Sequence, residues 1–325
     1  MTPQRPPGHA VLTPQWPRRR TVLTPRRRRL AWTALTMLAW GGFVFAWVWL
    51  NFNQRDFMQD ARVYWRFDFA QLYQRGTVGG REAYLYSPLF AQLFAPFGIL
   101  PWEWFRGLWS AINLGVLAWL AGPRIGAVLL LFPGSPVSDE ISTGNLHLLI
   151  AAAAVVGFRY PSAWAFNLLT KVTPGIGVLW FAGQRAWRPM VMALGTTIVI
   201  SAISFAIAPH LWFEWADSLR HNSSVVIPAY AVAITWPLGV RLALAAAIAL
   251  VGGSIGWRWT VLVACTLALP VPWISGLSVL VGIIALWRWR PRPPGSGPAS
   301  ASASASAGPG SEPGSAPGSA GPASA

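Results

Sequence analysis

The chain has 325 residues, of which 54% are hydrophobic and only 11% charged, with a mean hydropathy of +0.44. Soluble domains carry about 25% charged residues, so this composition excludes an ordinary soluble domain and points to an integral membrane protein. The net charge of +15 would suit a nucleic acid, but the arginines are placed otherwise. Arg18–Arg20 and Arg26–Arg29 crowd before the first apolar run, and Arg288, Arg290 and Arg292 follow the last, a positive-inside signal that needs no nucleic-acid partner.

Residues 1–29 are rich in proline and arginine and read as a disordered cytoplasmic segment held near an anionic leaflet. They lack the form of a cleavable signal peptide, since the basic stretch is long and no small-residue cleavage site follows the apolar run. Leu30–Leu50 is long enough to cross the hydrocarbon core. With the arginines inside, the loop over residues 51–87 faces the extracytoplasmic side. It holds Asp56, Asp60, Asp68 and Glu82, four of the 10 acidic residues, with Arg55, Arg62, Arg66, Arg75, Arg81 and a row of aromatics. Mixed charge at this density is unusual for a connector, and the loop reads as the lining of an active site. Phe57, Ala61, Tyr64, Trp65, Phe69 and Leu72 keep rough helical spacing, as in an interfacial amphipathic helix; a solvated linker helix has the same pattern.

Pro88–Leu100 is a short inward span broken by Pro96, and Trp102–Ala121 crosses outward. Residues 122–143 fit a re-entrant segment whose polar part, PGSPVSDEISTG, stays outside as a loop. Asn145–Phe158 runs inward. Trp164–Thr170 and Pro174–Phe181 each cover about half a bilayer, so a broken helical hairpin with Lys171 near its tip is expected. Met190–Ala208 goes out, Pro209–Pro237 is a mixed loop, and Leu238–Gly256, Trp259–Leu269 and Ile274–Trp287 complete the bundle. The expectation is an all-α polytopic membrane protein of about nine or ten membrane segments, several short or broken, within residues 30–290. Residues 291–325 are Pro, Gly, Ser and Ala with little else, and read as a disordered cytoplasmic tail.

Few residues here could carry chemistry. Lys171 is the sole lysine, and a cation in an apolar segment costs about 2.5–3.5 kcal/mol on insertion scales. It either snorkels to the interface or meets an anion, for which a lipid-linked phosphate is the natural partner at that depth. Asp60 at a membrane–water boundary suits a general base and equally an ion pair with Arg62 or Arg66; Asp68 and then Asp56 are the next candidates. His147 heads a span, where a hydrogen-bonded structural histidine is commoner than a ligand. Asp139 and Glu140 read as part of a solvated turn. Cys265, the single cysteine, excludes an intrachain disulfide and reads as a small buried hydrophobe. No cluster has metal-ligand spacing, and no Ser/His/Asp arrangement or phosphate-cradling glycine loop is present, so no cofactor is expected.

Four pieces, in order, carry a family resemblance. Asp60-Ala61-Arg62-Val63-Tyr64 resembles a D-x-x-V-Y start to a first external loop. Tyr86-Ser87-Pro88-Leu89-Phe90 with Pro96 and Leu100-Pro101 resembles Y-P-P-L-F-A…P-L-x-L-L-P. Gly144-Asn145-Leu146-His147-Leu148-Leu149 stands where G-Q-V-N-L-L is common. Lys171-Val172-Thr173-Pro174 with Arg185-Ala186-Trp187-Arg188 resembles K-x-T-P…R-x-W-R. Together they resemble glycosyltransferase family 87, membrane enzymes of the GT-C type that use polyprenyl-phosphate sugars. Ser87 stands in place of a proline, and Asn145 and His147 in place of Gln and Asn. Ile274-Ser275-Gly276 follows Pro270-Val271-Pro272-Trp273, where relatives often carry a histidine.

The resemblance implies a GT-C-like bundle with Asp60 as catalytic base and Lys171 as the cation at the donor phosphate, helped by Arg62, Arg66 or Arg81. Tyr64, Trp65, Tyr84, Tyr86, Asn145 and His147 would contact substrates. The implied partners are a polyprenyl-phosphate-linked sugar donor, a glycolipid or polysaccharide acceptor and membrane lipids, at a multi-pass plasma-membrane site facing outside with both termini cytoplasmic. Mannose is the expected sugar and arabinofuranose the close alternative. A transporter or flippase would instead show matched repeats in its two halves, which are not seen, and an inactive scaffold for envelope enzymes is the third possibility.

Overall fold

The structure, a computed structural model, describes residues 24–53, 57–74, 78, 83–132, 134–223, 225 and 232–289. Two units separate, Met1–Leu286 and Trp287–Ala325, and the site lies in the first. Every regular element among the described residues is helical. Helix α1 (Pro25–Asn53, 29 residues) would measure about 43 Å at 1.5 Å per residue. Its length exceeds a hydrocarbon core of about 30 Å, so the turn bearing Arg26–Arg29 projects past the apolar part. Leu38 and Phe45 stay 72% and 70% exposed on it, as lipid-facing side chains do. Helix α10 (Trp187–Ile207) is the second full-length apolar helix, with Val191, Ile198 and Ile203 exposed and Ala193 and Ser204 buried.

The remaining spans are built from shorter pieces. Helix α2 is Gln59–Trp65, α3 is Pro88–Phe94 and α4 is Trp102–Ala121. At Gly122 (φ 80) the chain turns by 118° into α5 (Pro123–Leu130). Helices α6 (Pro136–Thr143) and α7 (His147–Gly157) are bent by 110°. After α8 (Trp164–Thr170) the helix stops at Lys171, whose φ of −128 and ψ of 86 are not helical, and a 3-10 turn over Thr173–Val178 leads to α9 (Leu179–Gly183). These are the two limbs of the expected hairpin. Gly175 packs so closely on Leu168 that a Cβ would come within 2.1 Å of its Cδ2. Beyond α10 come α11 (Pro209–Asn222), α12 (Leu238–Ser254), α13 (Trp259–Leu267) and α14 (Val281–Arg288). Among the described residues two helices are long and apolar enough to cross a membrane, or up to four if each bent pair is one span. The nine or ten segments read from hydropathy are therefore mostly helices too short to cross a hydrocarbon core alone.

Two expectations change. The polar run before Gly144 is a helix rather than a loop. Ser135 caps α6, accepting from the Ser138 N–H, and Val137, Glu140 and Ile141 are buried on one side. Capping serine, proline in the first turn and a left-handed C-cap glycine together make a short helix from a polar sequence. The helix expected in the first external loop is also present but short. It ends at Arg66 (φ −136, ψ 127), because the Trp65 indole N–H donates to Leu100 O (2.8 Å) and Phe67 turns to pack on Phe69 and Tyr84. Its apolar side enters protein: Phe57, Ala61 and Tyr64 join Phe90, Phe105 and Trp109 in a buried aromatic cluster. A second, larger core centres on Trp164, Leu148, Ile150, Leu262 and Val279.

Candidate active site

The site forms where α2 meets the turn between α6 and α7. Met58, at φ 59 in the left-handed region, starts α2, and its N–H donates to Ser142 O at 2.8 Å. Gly144 ends α6 at φ 73, and a Cβ there would lie 2.7 Å from the Ala61 Cβ. Glycine is thus required twice, by its backbone angle and by the approach of α2. The Trp109 indole on α4 holds this turn from below, donating to Gly144 O at 2.7 Å. The next residue, Asn145, is 4% exposed and its orientation is fixed at both ends of its amide.

A line of polar side chains follows. Asn145 Nδ2 donates to Asp60 Oδ2 at 2.5 Å, while its Oδ1 accepts from Lys171 Nζ at 3.1 Å and from the Leu146 N–H at 2.8 Å. Lys171 Nζ also lies 2.8 Å from His147 Nε2. His147 Nδ1 is 2.7 Å from Glu140 Oε2. Glu140 Oε1 accepts from the backbone N–H groups of His147 and Leu148. One amide therefore separates the Asp60 carboxylate from the only lysine. Burial pushes the Asp60 carboxyl up from 3.8 to about 6, and Lys171 and the Asn145 hydrogen bond hold it from rising further. Such a group is ionised at neutral pH yet basic enough to take a proton.

The aromatic side of the site is a wall. Tyr64 OH and Tyr86 OH are 2.7 Å apart, and the Tyr86 ring lies under Lys171 Nζ at 6.0 Å. Tyr84 stands behind Tyr86, its hydroxyl donating to Ser87 O at 2.9 Å. Ser87, in turn, donates to Leu169 O, tying the first loop to the helix that ends at Lys171. Asp60, Asn145, His147, Lys171, Tyr64 and Tyr86 are thus brought together, with Tyr84 one layer back. Arg62 and Arg66 are exposed and lie over the rings of Trp102 (5.3 Å) and Trp65 (4.8 Å) rather than in the polar line. Asp68 caps the turn after α2, accepting from the Ala70 N–H at 3.1 Å. Asp56 and Arg81 lie outside the described residues.

Sequence reasoning missed Glu140, which is fully buried rather than in a solvated turn, and Trp109. Ser135, Pro136 and Gly144 are the cap signals from which the short helix could have been read, but not which of its two adjacent acidic residues faces inward. Among the described residues no group of three or more His, Cys, Asp or Glu could hold a metal ion.

The sequence profile of glycosyltransferase family 87 matches residues 84–307, more than half of the chain. The chain belongs to glycosyltransferase family 87. The matched stretch contains Tyr84, Tyr86, Glu140, Asn145, His147 and Lys171, while α2 and Asp60 precede it. This family 87 chain is also similar to the polyprenol-phosphate-mannose-dependent alpha-(1-2)-phosphatidylinositol mannoside mannosyltransferase of Mycobacterium tuberculosis (strain ATCC 25618 / H37Rv). They are 24% identical over an alignment of 244 residues that covers 61% of this chain and 56% of the relative. The chain thus spans about half the length of that relative. No solved structure matches it.

Proposed function

We propose that the protein is a membrane glycosyltransferase that moves a sugar, mannose in the leading reading, from a polyprenyl-phosphate donor to a hydroxyl of a glycolipid or polysaccharide acceptor. The observation that carries this is the single amide, Asn145, bonded at once to Asp60 (2.5 Å) and Lys171 (3.1 Å). Membership of family 87 supports the reaction class, and the name of the mycobacterial relative supports the polyprenol-phosphate-mannose donor and a phosphatidylinositol mannoside-like acceptor.

Asp60 takes the proton of the acceptor hydroxyl as that oxygen attacks the anomeric carbon. The bond from the anomeric carbon to the phosphate oxygen breaks in the same step, with inversion, and the electron pair leaves on the lipid phosphate. The leaving group needs its growing charge neutralised rather than a proton, so one carboxylate and one cation suffice. An ammonium has three N–H groups. Asn145 and His147 take two on Lys171, and the third remains for a phosphate oxygen. Tyr86, half-buried beside Lys171, offers a face for a sugar ring, and the fully buried Tyr64 backs it through the hydroxyl pair. Arg62 and Arg66, exposed beside their tryptophans, are placed to meet the phosphate from the water side if the donor enters there. The arginine clusters Arg18–Arg20 with Arg26–Arg29, and Arg288, Arg290 and Arg292, support both termini in the cytoplasm and this site on the outer face of the plasma membrane.

The test uses purified protein in lipid nanodiscs with a panel of polyprenyl-phosphate sugars and product detection by mass. Asp60→Asn is expected to bind donor but transfer little. A folded Asp60→Asn protein that transfers at the wild-type rate would refute the assignment of the base. A pentose in the product instead of a hexose would move the donor to arabinofuranose.

A further inference from the structure

Glu140 has no part in the displacement just described, and it is fully buried beside a histidine that is also fully buried. A carboxylate at that depth persists only when its lone pairs are met by donors. Two are backbone: the N–H groups of His147 and Leu148 in the first turn of α7 point at Oε1. They can only donate. The third contact is His147 Nδ1 on Oε2 at 2.7 Å, and on the other side of the ring Nε2 faces Lys171 Nζ at 2.8 Å. A carboxylate only accepts and an ammonium only donates. A neutral ring with its proton on Nδ1 satisfies both neighbours. A ring protonated on Nε2 sets two donors head to head.

We propose that Glu140 is a positioning residue for donor binding, fixing the His147 proton on Nδ1 so that Nε2 anchors the Lys171 ammonium at the donor phosphate. This rests on the glycosyltransferase reading. Glu140 touches neither substrate nor reacting atom, and it acts through the ring. The arrangement ties the angle of the Lys171 ammonium to a carboxylate on α6 through one imidazole, much as carboxylates orient ligating histidines elsewhere.

Glu140→Gln separates this role from mere packing. The glutamine has the same shape, and its carbonyl oxygen is claimed by the two backbone N–H groups. Its NH2 then meets Nδ1, which must accept, and the ring proton moves to Nε2 against Lys171. The donor KM is expected to rise roughly ten-fold or more, the effect of losing one charge-assisted hydrogen bond, with the acceptor KM unchanged. Glu140→Asp keeps an all-acceptor group although it is shorter and leaves a gap. It is expected to stay closer to the wild-type donor KM than Glu140→Gln, whereas a purely structural role predicts the opposite order. A third readout needs no variant of Glu140. NMR of the full chain in nanodiscs with isotope-labelled histidine, the His147 signal assigned by its loss in His147→Asn, is expected to show Nδ1 protonated and Nε2 bare near neutral pH. A proton on Nε2 would overturn the proposal. A wild-type protein that transfers no lipid-linked sugar overturns the donor role together with the glycosyltransferase reading. An active one whose Glu140→Gln form keeps the wild-type donor KM overturns the role of Glu140 alone.

Discussion

If Asp60 is the base, its ionisation sets the acid limb of activity. Burial raises the carboxyl from 3.8 to about 6, against the pull of Lys171 and the Asn145 amide. With that value, the acid limb of kcat/KM should be half-maximal near about pH 6 and roughly a tenth of the maximum near about pH 5. Asp60→Asn keeps the shape of the side chain and removes the base, so transfer should fall roughly a hundred- to ten-thousand-fold and the limb should vanish from any residual rate. Asn145→Ala removes a hydrogen bond that favours the charged form, so its limb should move to higher pH. The assay is initial-rate transfer from a lipid-linked sugar in nanodiscs across pH, with Asp60→Asn as control. A limb near pH 4, at the ordinary carboxylate value of 3.8, would show that the buried setting does not tune the base. A limb near about pH 6 that persists in Asp60→Asn would assign it to another group.

The same shift has a consequence for stability. A folded-state value above the unfolded one means that the contribution of Asp60 is full below about pH 4 and lost as pH rises through about 6; Asp60→Asn should therefore melt no lower than wild type at neutral pH in a detergent thermal-shift assay. Lys171→Met should raise the donor KM while leaving the acceptor KM near wild type, read by titrating each substrate separately. Gly144→Ala places a Cβ 2.7 Å from the Ala61 Cβ at φ 73 and should cost on the order of 2 kcal/mol, with activity falling further than stability because α2 is what moves. Arg241, 3% exposed, donates to the carbonyls of Trp236, Leu267, Leu269 and Pro270. Arg241→Met should lower stability by on the order of 3 kcal/mol and leave both KM values unchanged.

Much of the helical order was legible because apolar runs and prolines mark where membrane helices begin and end. The break at Lys171 was legible for the same reason: Thr173-Pro174 cannot continue α8, and each limb is short. The pairing of Asp60 with Lys171 was expected only through the resemblance, since 110 positions separate them in the sequence and no local period links α2 to α8. What stayed hidden were contacts made across elements. Glu140 looks like a loop carboxylate because its neighbours Ser138, Asp139, Ser142 and Thr143 are polar, and hydropathy averages over the one side of α6 that is buried. The charge of Arg62 and Arg66 is visible in the sequence, whereas the tryptophans they lie over, Trp102 and Trp65, are found only in three dimensions.

The short helix that delivers Asp60 is fastened at its first residue to Ser142 and along its length to Gly144. A segment held this closely to the turn beside it needs no swing to reach it, so in the proposed reaction the carboxylate stands in place before any sugar arrives.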